Sequence, residues 1–153
     1  MAPSPPTLLV IEDARDQAIL LGYAARRCHP GIQVHVANDG YEGCMYLAGV
    51  EPYDDPYACP RPTLVILDLY MPGLDGFGVL KWMRTRPDLE DVPVVVLTSS
   101  SRSEAESRAR WLGAAAVYRK PDDLDALGDV VREIVETYVP RRLMFDAMFD
   151  SMG

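Results

Sequence analysis

The sequence predicts an α/β domain in which five strands and five helices alternate around an open parallel sheet. Short apolar runs alternate with segments of helical periodicity, the arrangement typical of repeated βα units. The runs at 63–67 and 92–97 are almost continuously apolar, which indicates strands buried on both faces of a parallel sheet. No internal repeat interrupts the pattern, and 153 residues are enough for one domain with its own core.

The first two βα units precede a Pro-rich loop. An apolar run forms the first strand, the His29-Pro30-Gly31 breaker ends the first helix, and an Asn-Asp-Gly turn starts the second helix. In chain order we predict a strand at 8–11, a helix at 14–28, a strand at 32–37 and a helix at 41–48. The apolar face predicted for the first helix consists of Ile19, Leu20, Tyr23 and Ala24.

Three further units follow the loop at 49–62, whose four prolines are incompatible with regular structure. Their helices begin after turn or capping residues and end at Arg86-Pro87 or before Gly113. In chain order we predict a strand at 63–67, a helix at 76–86, a strand at 92–97, a helix at 103–112, a strand at 115–118 and a helix capped by Asp122 or Asp123. The apolar face of the last helix consists of Leu127, Val130, Val131, Ile134 and Val135.

Composition excludes several functions. The net charge of −8 argues against nucleic-acid binding, which requires clustered basic residues. No apolar run approaches the roughly 18 residues of a membrane span, and the amino terminus lacks the features of a signal peptide. Three cysteines without a Cys-x-x-Cys motif indicate reduced thiols. We therefore expect a soluble cytoplasmic protein without a membrane or nucleic-acid partner.

Acidic and polar side chains follow four of the predicted strands. These residues are Glu12, Asp13, Asp68, Thr98 and Lys120. Strands of an open parallel sheet end at a common crevice where ligands bind, so these side chains should meet there. Each alone could be a helix cap or a solvated charge, but their joint occurrence favours a site. Crowded carboxylates repel one another unless a cation such as Mg²⁺ joins them, and a carboxylate beside Mg²⁺ can attack a phosphoryl group.

Four separated motifs carry a family resemblance. They are LLVIED at 8–13, VILDLYMPGLDG at 65–76, VVVLTS at 94–99 and Lys-Pro at 120–121. In this order and spacing they resemble the receiver domains of two-component response regulators, and the similarity runs over residues 7–138. The resemblance implies a flavodoxin-like, doubly wound (βα)5 fold with a five-stranded parallel sheet in the order 2-1-3-4-5.

The resemblance also implies a role for each matching residue. Asp68 would accept a phosphoryl group from a phosphohistidine of a sensor histidine kinase, while Thr98 and Lys120 would contact that group. The implied Mg²⁺ ligands are Glu12, Asp13, Asp68 and the backbone carbonyl of Tyr70, which the Met71-Pro72-Gly73 turn would direct toward the metal. The Lys120–Pro121 peptide bond would be cis. Such a protein is a phospho-acceptor that promotes only its own phosphorylation and dephosphorylation, not an enzyme.

One position departs from the family pattern. Receiver domains usually carry Tyr or Phe three residues before the lysine, where this chain has Val117 followed by Tyr118. Adjacent side chains of a strand point to opposite faces, so Tyr118 cannot replace the missing aromatic ring. We therefore expect an intact phosphorylation site with an altered readout.

A finer resemblance concerns the regulators that accompany bacterial phytochromes. It is based on the loop at 49–62, the connection at 88–93 and the ending at 134–138. It implies a single-domain regulator whose kinase is a phytochrome, and a homodimer formed through the face of helix four, strand five and helix five.

The expected organisation is a flexible arm at 1–6, a receiver domain at 7–139 and a tail at 140–153 without an output domain. Apolar residues at helical spacing predict a short amphipathic helix in the tail, packed on the helix-four to helix-five face of its own chain or a partner. These residues are Phe145, Met148, Phe149 and Met152. Signals would leave through protein contacts, or the chain would act as a phosphate shuttle or sink in a phosphorelay.

Other functions fit less well. A phosphatase of the haloacid dehalogenase type needs a second Asp two residues after the nucleophile, where this chain has Tyr70. A receiver-like module that is never phosphorylated should have lost part of the acidic set. A dinucleotide-binding domain is excluded because the first strand leads into Glu12-Asp13 rather than a Gly-rich loop.

Overall fold

Five strands and five α-helices alternate along the chain in a computed structural model that describes residues 5–100 and 102–139. The strands are β1 (Thr7–Ile11), β2 (Gln33–Ala37), β3 (Leu64–Leu67), β4 (Val94–Thr98) and β5 (Ala116–Arg119). The helices are α1 (Arg15–Cys28), α2 (Gly40–Ala48), α3 (Gly76–Arg84), α4 (Ser103–Trp111) and α5 (Leu124–Tyr138). A short 3₁₀ helix at Pro87–Leu89 precedes β4 and was not predicted from the sequence.

All five strands are parallel, and their order is β2-β1-β3-β4-β5. The predicted fold class, sheet composition and strand order are therefore confirmed. The order reverses between β1 and β3, and the crevice at such a switch point is where open α/β sheets bind ligands.

Two apolar clusters cover the two faces of the sheet. One face packs against α2, α3 and α4, and the other packs against α1 and α5. Every residue of β1, β3 and β4 is buried, as their continuous apolar runs predict. Both layers of helices thus leave the carboxyl ends of the strands accessible.

The predicted element bounds agree with the structure to within about two residues. Differences of two residues occur at the start of β4 and at the end of α3. Helix α3 ends at Arg84 because the amide groups of Thr85 and Arg86 donate to carbonyls three residues back. Of the two capping candidates for α5, Asp123 accepts a hydrogen bond from the Asp125 amide. The apolar face of α5 is confirmed, with Val131, Ile134 and Val135 buried.

The buried face predicted for α1 is wrong. Ile19, Leu20 and Tyr23 are 58%, 36% and 56% exposed. The buried residues of this helix are instead Ala18, Leu21, Gly22 and Ala25. Small side chains let α1 lie close to the sheet, since a Cβ on Gly22 would already be 3.2 Å from the Val34 side chain. Close approach therefore selects the small-residue face over the more hydrophobic one.

Within the described residues, no helix has the length and apolar character needed to cross a bilayer. The three cysteines are free and half-buried. The predicted tail at 140–153 and most of the predicted arm at 1–6 lie outside the described residues, so those domain bounds stay predictions.

Candidate functional site

The site lies where β1, β3, β4 and β5 end at the same edge of the sheet. Backbone hydrogen bonds continue between the strands past their last residues: the Asp68 amide donates to the Ile11 carbonyl over 3.1 Å. The Lys120 amide likewise donates to the Thr98 carbonyl over 2.7 Å. This continuation holds residues from distant parts of the chain side by side, as the sequence predicts.

Three carboxylates meet at this edge. Glu12, Asp13 and Asp68 each offer an oxygen, and these oxygens lie within 4.8 Å of one another. The three differ in burial: Glu12 is buried, Asp68 is partly buried and Asp13 is exposed. A group of carboxylates that is buried on one side and open on the other can take a cation that keeps some of its water ligands.

Lys120 contacts two of these carboxylates unequally. Its ammonium donates to Glu12 Oε1 over 2.6 Å, whereas Asp68 Oδ2 is 4.0 Å away. The side chains of Lys120 and Asp68 are only 13% and 12% exposed, so solvent screens these charges weakly. One ammonium thus faces a buried and a partly buried carboxylate and neutralises only part of their charge.

Burial and the neighbouring Asp68 change the chemistry of Glu12. Burial, which desolvates the carboxylate, and the adjacent Asp68 carboxylate together raise the pKa of Glu12 to about 7, although Lys120 acts to lower it. The second carboxylate oxygen, Oε2, is buried and has no hydrogen-bond partner among the described residues. An unpartnered buried oxygen beside two other carboxylates fits a hard divalent cation such as Mg²⁺.

Thr98 supplies the hydroxyl group of the site. It is 2% exposed, and its Oγ1 accepts a hydrogen bond of 3.2 Å from the Ser100 amide. The hydroxyl proton therefore stays available to donate toward the crevice. The position of Thr98 at the end of a strand is predictable from the sequence, but its contact with Ser100 is not.

The loop after Asp68 is shaped by two glycines. Gly73 adopts a φ of +78°, which the Met71-Pro72-Gly73 turn requires and other residues rarely adopt. A Cβ on Gly76 would collide with the Asp68 carbonyl, so only glycine lets α3 begin this close to the end of β3. The half-exposed Tyr70 ring packs edge-on against Phe77, with ring centroids 6.2 Å apart.

Val117 and Tyr118 point to opposite faces, as strand alternation predicts. Val117 packs with the α2–α3–α4 cluster, and Tyr118 packs with the α1–α5 cluster. A cavity of about 270 Å³ lies beside Val117 and is lined in part by Thr98 and Ser100. The space next to the site hydroxyl thus contains no aromatic ring from position 117.

The expectation of a cis peptide bond before Pro121 is wrong. The one cis peptide bond among the described residues joins Glu51 to Pro52, so Lys120–Pro121 is trans. An X-Pro bond is trans unless its surroundings select cis, because trans is favoured by roughly 0.5–1 kcal/mol. Lys120 reaches the carboxylates with this trans bond.

The structure also shows a contact that the sequence did not predict. The Arg108 guanidinium of α4 lies 4.2 Å from the centroid of the Phe77 ring, which in turn packs on Tyr70. This stack links the loop after Asp68 to α4. No sequence signal identifies it, since it depends on how α3 and α4 pack.

Comparison with known proteins agrees with this geometry. A family model described as the response regulator receiver domain matches residues 8–132, which is most of the chain. The chain belongs to the response regulator receiver family. Receiver domains act in two-component and phosphorelay signalling, bind Mg²⁺ in an acidic pocket and interact with sensor histidine kinases. The cluster of Glu12, Asp13 and Asp68 fits such a pocket.

Similar proteins include phytochrome-associated response regulators. Response regulator Rcp1 of Synechocystis is 31% identical over 100 residues, which cover 65% of this chain and 66% of Rcp1. The matched segment thus spans slightly less than two thirds of that relative. The crystal structure of the phosphorylated cyanobacterial phytochrome response regulator RcpA superimposes with a TM-score of 0.83 at 27% identity, covering 90% of this chain and 96% of RcpA. An Mn²⁺-bound form of Rcp1 has a TM-score of 0.77 at 28% identity, covering 86% and 92% of the two chains.

Proposed function

We propose that this receiver accepts a phosphoryl group on Asp68 from the phosphohistidine of a sensor histidine kinase in a Mg²⁺-dependent reaction. The observation that carries the proposal is the convergence of Asp68 with Glu12 and Asp13, whose oxygens lie within 4.8 Å, beside the ammonium of Lys120. Thr98 completes this set at the end of the neighbouring strand.

The transfer is a nucleophilic substitution at phosphorus. An Asp68 carboxylate oxygen attacks the phosphorus atom, so an O–P bond forms as the P–N bond to the histidine breaks. The imidazole nitrogen leaves with the bonding electron pair and takes up a proton. Lys120 and the Thr98 hydroxyl donate hydrogen bonds to the phosphoryl oxygens on Asp68.

Mg²⁺ fits the remaining groups of the site. Glu12, Asp13, Asp68 and the Tyr70 carbonyl would hold it, and the bound ion would offset the negative charge that accumulates during transfer. The Lys120 ammonium lies 2.6 Å from Glu12 Oε1 and 4.0 Å from Asp68 Oδ2. A cation held by Glu12 would compete with this contact, and the Lys120 ammonium would then pair with the phosphoryl group on Asp68.

The partners follow from the same proposal. We propose a phytochrome-type histidine kinase as the donor, because RcpA, whose structure is similar over 90% of this chain, is a phytochrome response regulator by name. The receiver then signals in the cytoplasm through protein contacts rather than through catalysis or DNA binding. One such contact is a homodimer through the α4–β5–α5 face, where β5 forms an edge of the sheet with half-exposed side chains.

Transfer from a kinase tests the proposal. A histidine kinase labelled on its phosphohistidine is mixed with the parent chain, with Asp68→Asn and with the matched control Asp16→Asn, which changes an exposed α1 carboxylate. Label should move to the parent and the control in the presence of Mg²⁺, and it should be released by hydroxylamine as an acyl phosphate. Label on Asp68→Asn, or transfer in the absence of a divalent cation, would contradict it.

A turnover assay separates this function from that of a phosphatase. The residue two positions after Asp68 is Tyr70, which packs on Phe77 and offers no carboxylic acid. We expect no sustained hydrolysis of a generic phosphate ester. Multiple turnovers that depend on Asp68 would favour the phosphatase instead.

A further inference from the structure

A cavity lies between β5 and α4, at the outer edge of the sheet. It has a volume of about 270 Å³, and its lining includes Thr98, Val117 and Arg119 from the strands and Glu106 from α4. Position 117 contributes only a valine, whose short side chain packs with the α2–α3–α4 cluster. An apolar cavity of about 150 Å³ is already large enough to bind benzene. The space beside Val117 therefore has room for an aromatic ring.

The lining of this cavity carries an excess of positive charge. Arg102 and Arg119 line it and are exposed. Neither arginine forms a salt bridge within residues 5–100 and 102–139. Glu106, the carboxylate of the lining, is already paired with Arg110 of its own helix at 3.2 Å. The cavity thus fits an aromatic ring with a carboxylate beside it, because a guanidinium can stack on the ring and pair with the carboxylate.

The tail at 140–153 contains this combination twice. It lies outside the described residues, and its sequence places Asp146 directly after Phe145 and Asp150 directly after Phe149. Each pair offers the ring and the adjacent carboxylate that the cavity fits. The chain therefore carries its own candidate occupant for the cavity.

The distance that the tail must cover distinguishes the two pairs. The cavity lies at the carboxyl ends of β4 and β5, close to the start of α5, whereas Val139 follows the far end of that helix. With 15 residues, α5 is about 22 Å long. At roughly 3.3 Å per residue of extended chain, Phe145 reaches about 20 Å from Val139 and Phe149 reaches about 33 Å. Phe149 is therefore the ring that can return past the start of α5.

We infer that the tail folds back along the edge strand β5 and that the Phe149 ring occupies this cavity of its own chain, with Asp150 paired to Arg119. Arg119 is the partner because it ends the strand along which the tail returns. Since Thr98 lines the same cavity, the docked ring lies against a side chain of the proposed phosphorylation site. The docked tail also becomes part of the α4–β5–α5 face, which agrees with the homodimer proposed there.

Fluorine NMR of the full-length chain tests the docking. The sequence has three phenylalanines, so incorporation of 4-fluorophenylalanine gives three signals, and Phe145→Ser and Phe149→Ser assign the two signals of the tail. Spectra are recorded without phosphodonor, at concentrations where the chain is monomeric. The signal of a ring in contact with water shifts between H₂O and D₂O. For Phe149 this solvent shift should be at least ~2-fold smaller than for free 4-fluorophenylalanine, because the docked ring is removed from water.

Filling the cavity from the strand should expel the ring. Val117→Tyr places a larger side chain in the cavity without adding a phenylalanine signal, and it should restore the full solvent shift of Phe149. Val36→Tyr makes the same change at an exposed position of β2, on the opposite edge of the sheet, and should leave the Phe149 signal unchanged. A small solvent shift that persists in Val117→Tyr would overturn docking at this cavity.

A charge exchange tests the ion pair and leaves the core of the domain unchanged. Arg119→Asp and Asp150→Arg each place like charges together and should increase the solvent shift of Phe149, whereas the combined variant should return it to the parent value. Arg132→Asp makes the same charge change on α5 outside the cavity lining and should have no effect. A fully exposed Phe149 ring in the parent, or a combined variant that does not recover, would overturn the inference. Docking only at concentrations where the chain dimerises would also overturn it, since the tail would then occupy a second copy.

Discussion

Glu12 combines a buried carboxylate, a short contact with Lys120 and an oxygen without a partner. Ionising a buried carboxylate beside another carboxylate costs free energy, so these features destabilise the folded protein unless a ligand compensates for them. The raised pKa of Glu12 reflects this cost directly. At the residue scale, the site therefore holds negative charge that a bound cation would stabilise.

The first prediction concerns the pH dependence of the metal-free protein. Since the pKa of Glu12 is about 7 in the folded state and 4.5 in the unfolded chain, only the folded state keeps this proton between these values. The free energy of unfolding should therefore fall as the pH rises from 4.5 to about 7. Urea unfolding across this range measures it. Glu12→Gln should remove this component, whereas the exposed control Glu104→Gln should keep it; equal profiles for both variants would contradict the assignment.

The second prediction concerns Asp13, the exposed carboxylate of the cluster. Asp13→Ala should abolish the rise in melting temperature that Mg²⁺ produces, because the ion loses a ligand. For a parent that binds only when folded, Mg²⁺ at 100 times its dissociation constant adds roughly 2.7 kcal/mol. The same variant should be slightly more stable than the parent without metal, since one source of repulsion is gone. Asp16→Ala on α1 is the matched control, and a parent-like Mg²⁺ response in Asp13→Ala would count against this site.

At the scale of elements, the features that depend on local sequence pattern, namely the strands and where they end, were predicted correctly. Parallel strands end at one edge, so the positions of Glu12, Asp68 and Lys120 along the chain were enough to predict that they meet. The buried face of α1 was predicted wrongly because periodicity and hydrophobicity do not reveal how closely a helix approaches its sheet. Gly22 and Ala25 decide that distance, and their small size carries little hydrophobic signal.

The side-chain contacts inside the site also could not be predicted from the sequence. The position of Lys120 predicts a role at the strand ends, but not that its ammonium bonds Glu12 rather than Asp68. That choice depends on distances of about an ångström and on which carboxylate is more deeply buried. The trans bond before Pro121 is a similar case, since the sequence permits both isomers.

The third prediction concerns the loop between β3 and α3. Tyr70 is half exposed and is held against Phe77, which places a bulky ring two residues beyond the proposed phosphorylation site. Exclusion of water protects reactive intermediates, so Tyr70→Ala should accelerate loss of the phosphoryl group from Asp68. The decay is followed by intact mass after the phosphodonor is removed. Tyr41→Ala, which removes an exposed ring packed near Gly73, should decay like the parent; an unchanged rate in Tyr70→Ala would remove the shielding role.

At the scale of the whole molecule, the fourth prediction concerns the tail at 140–153, which lies outside the described residues. Its apolar residues recur at helical spacing, and a stripe of this kind is expected to pack on another surface. We expect a version that ends at Val139 to dimerise more weakly than the full chain. A full-length variant with Phe145 and Phe149 changed to Ser should show the same loss in sedimentation. If full-length and shortened chains associate equally, the tail is not a dimer contact.

Asp68 is the proposed phospho-acceptor at the centre of the site, and the proposed function requires its carboxylate. The most direct measurement is the intact mass of the chain after incubation with a small-molecule phosphodonor, with and without Mg²⁺. We predict that the parent gains the mass of one phosphoryl group only with Mg²⁺, and that Asp68→Asn remains folded and gains none. Full labelling of Asp68→Asn, or equal labelling of the parent without a divalent cation, would contradict the account.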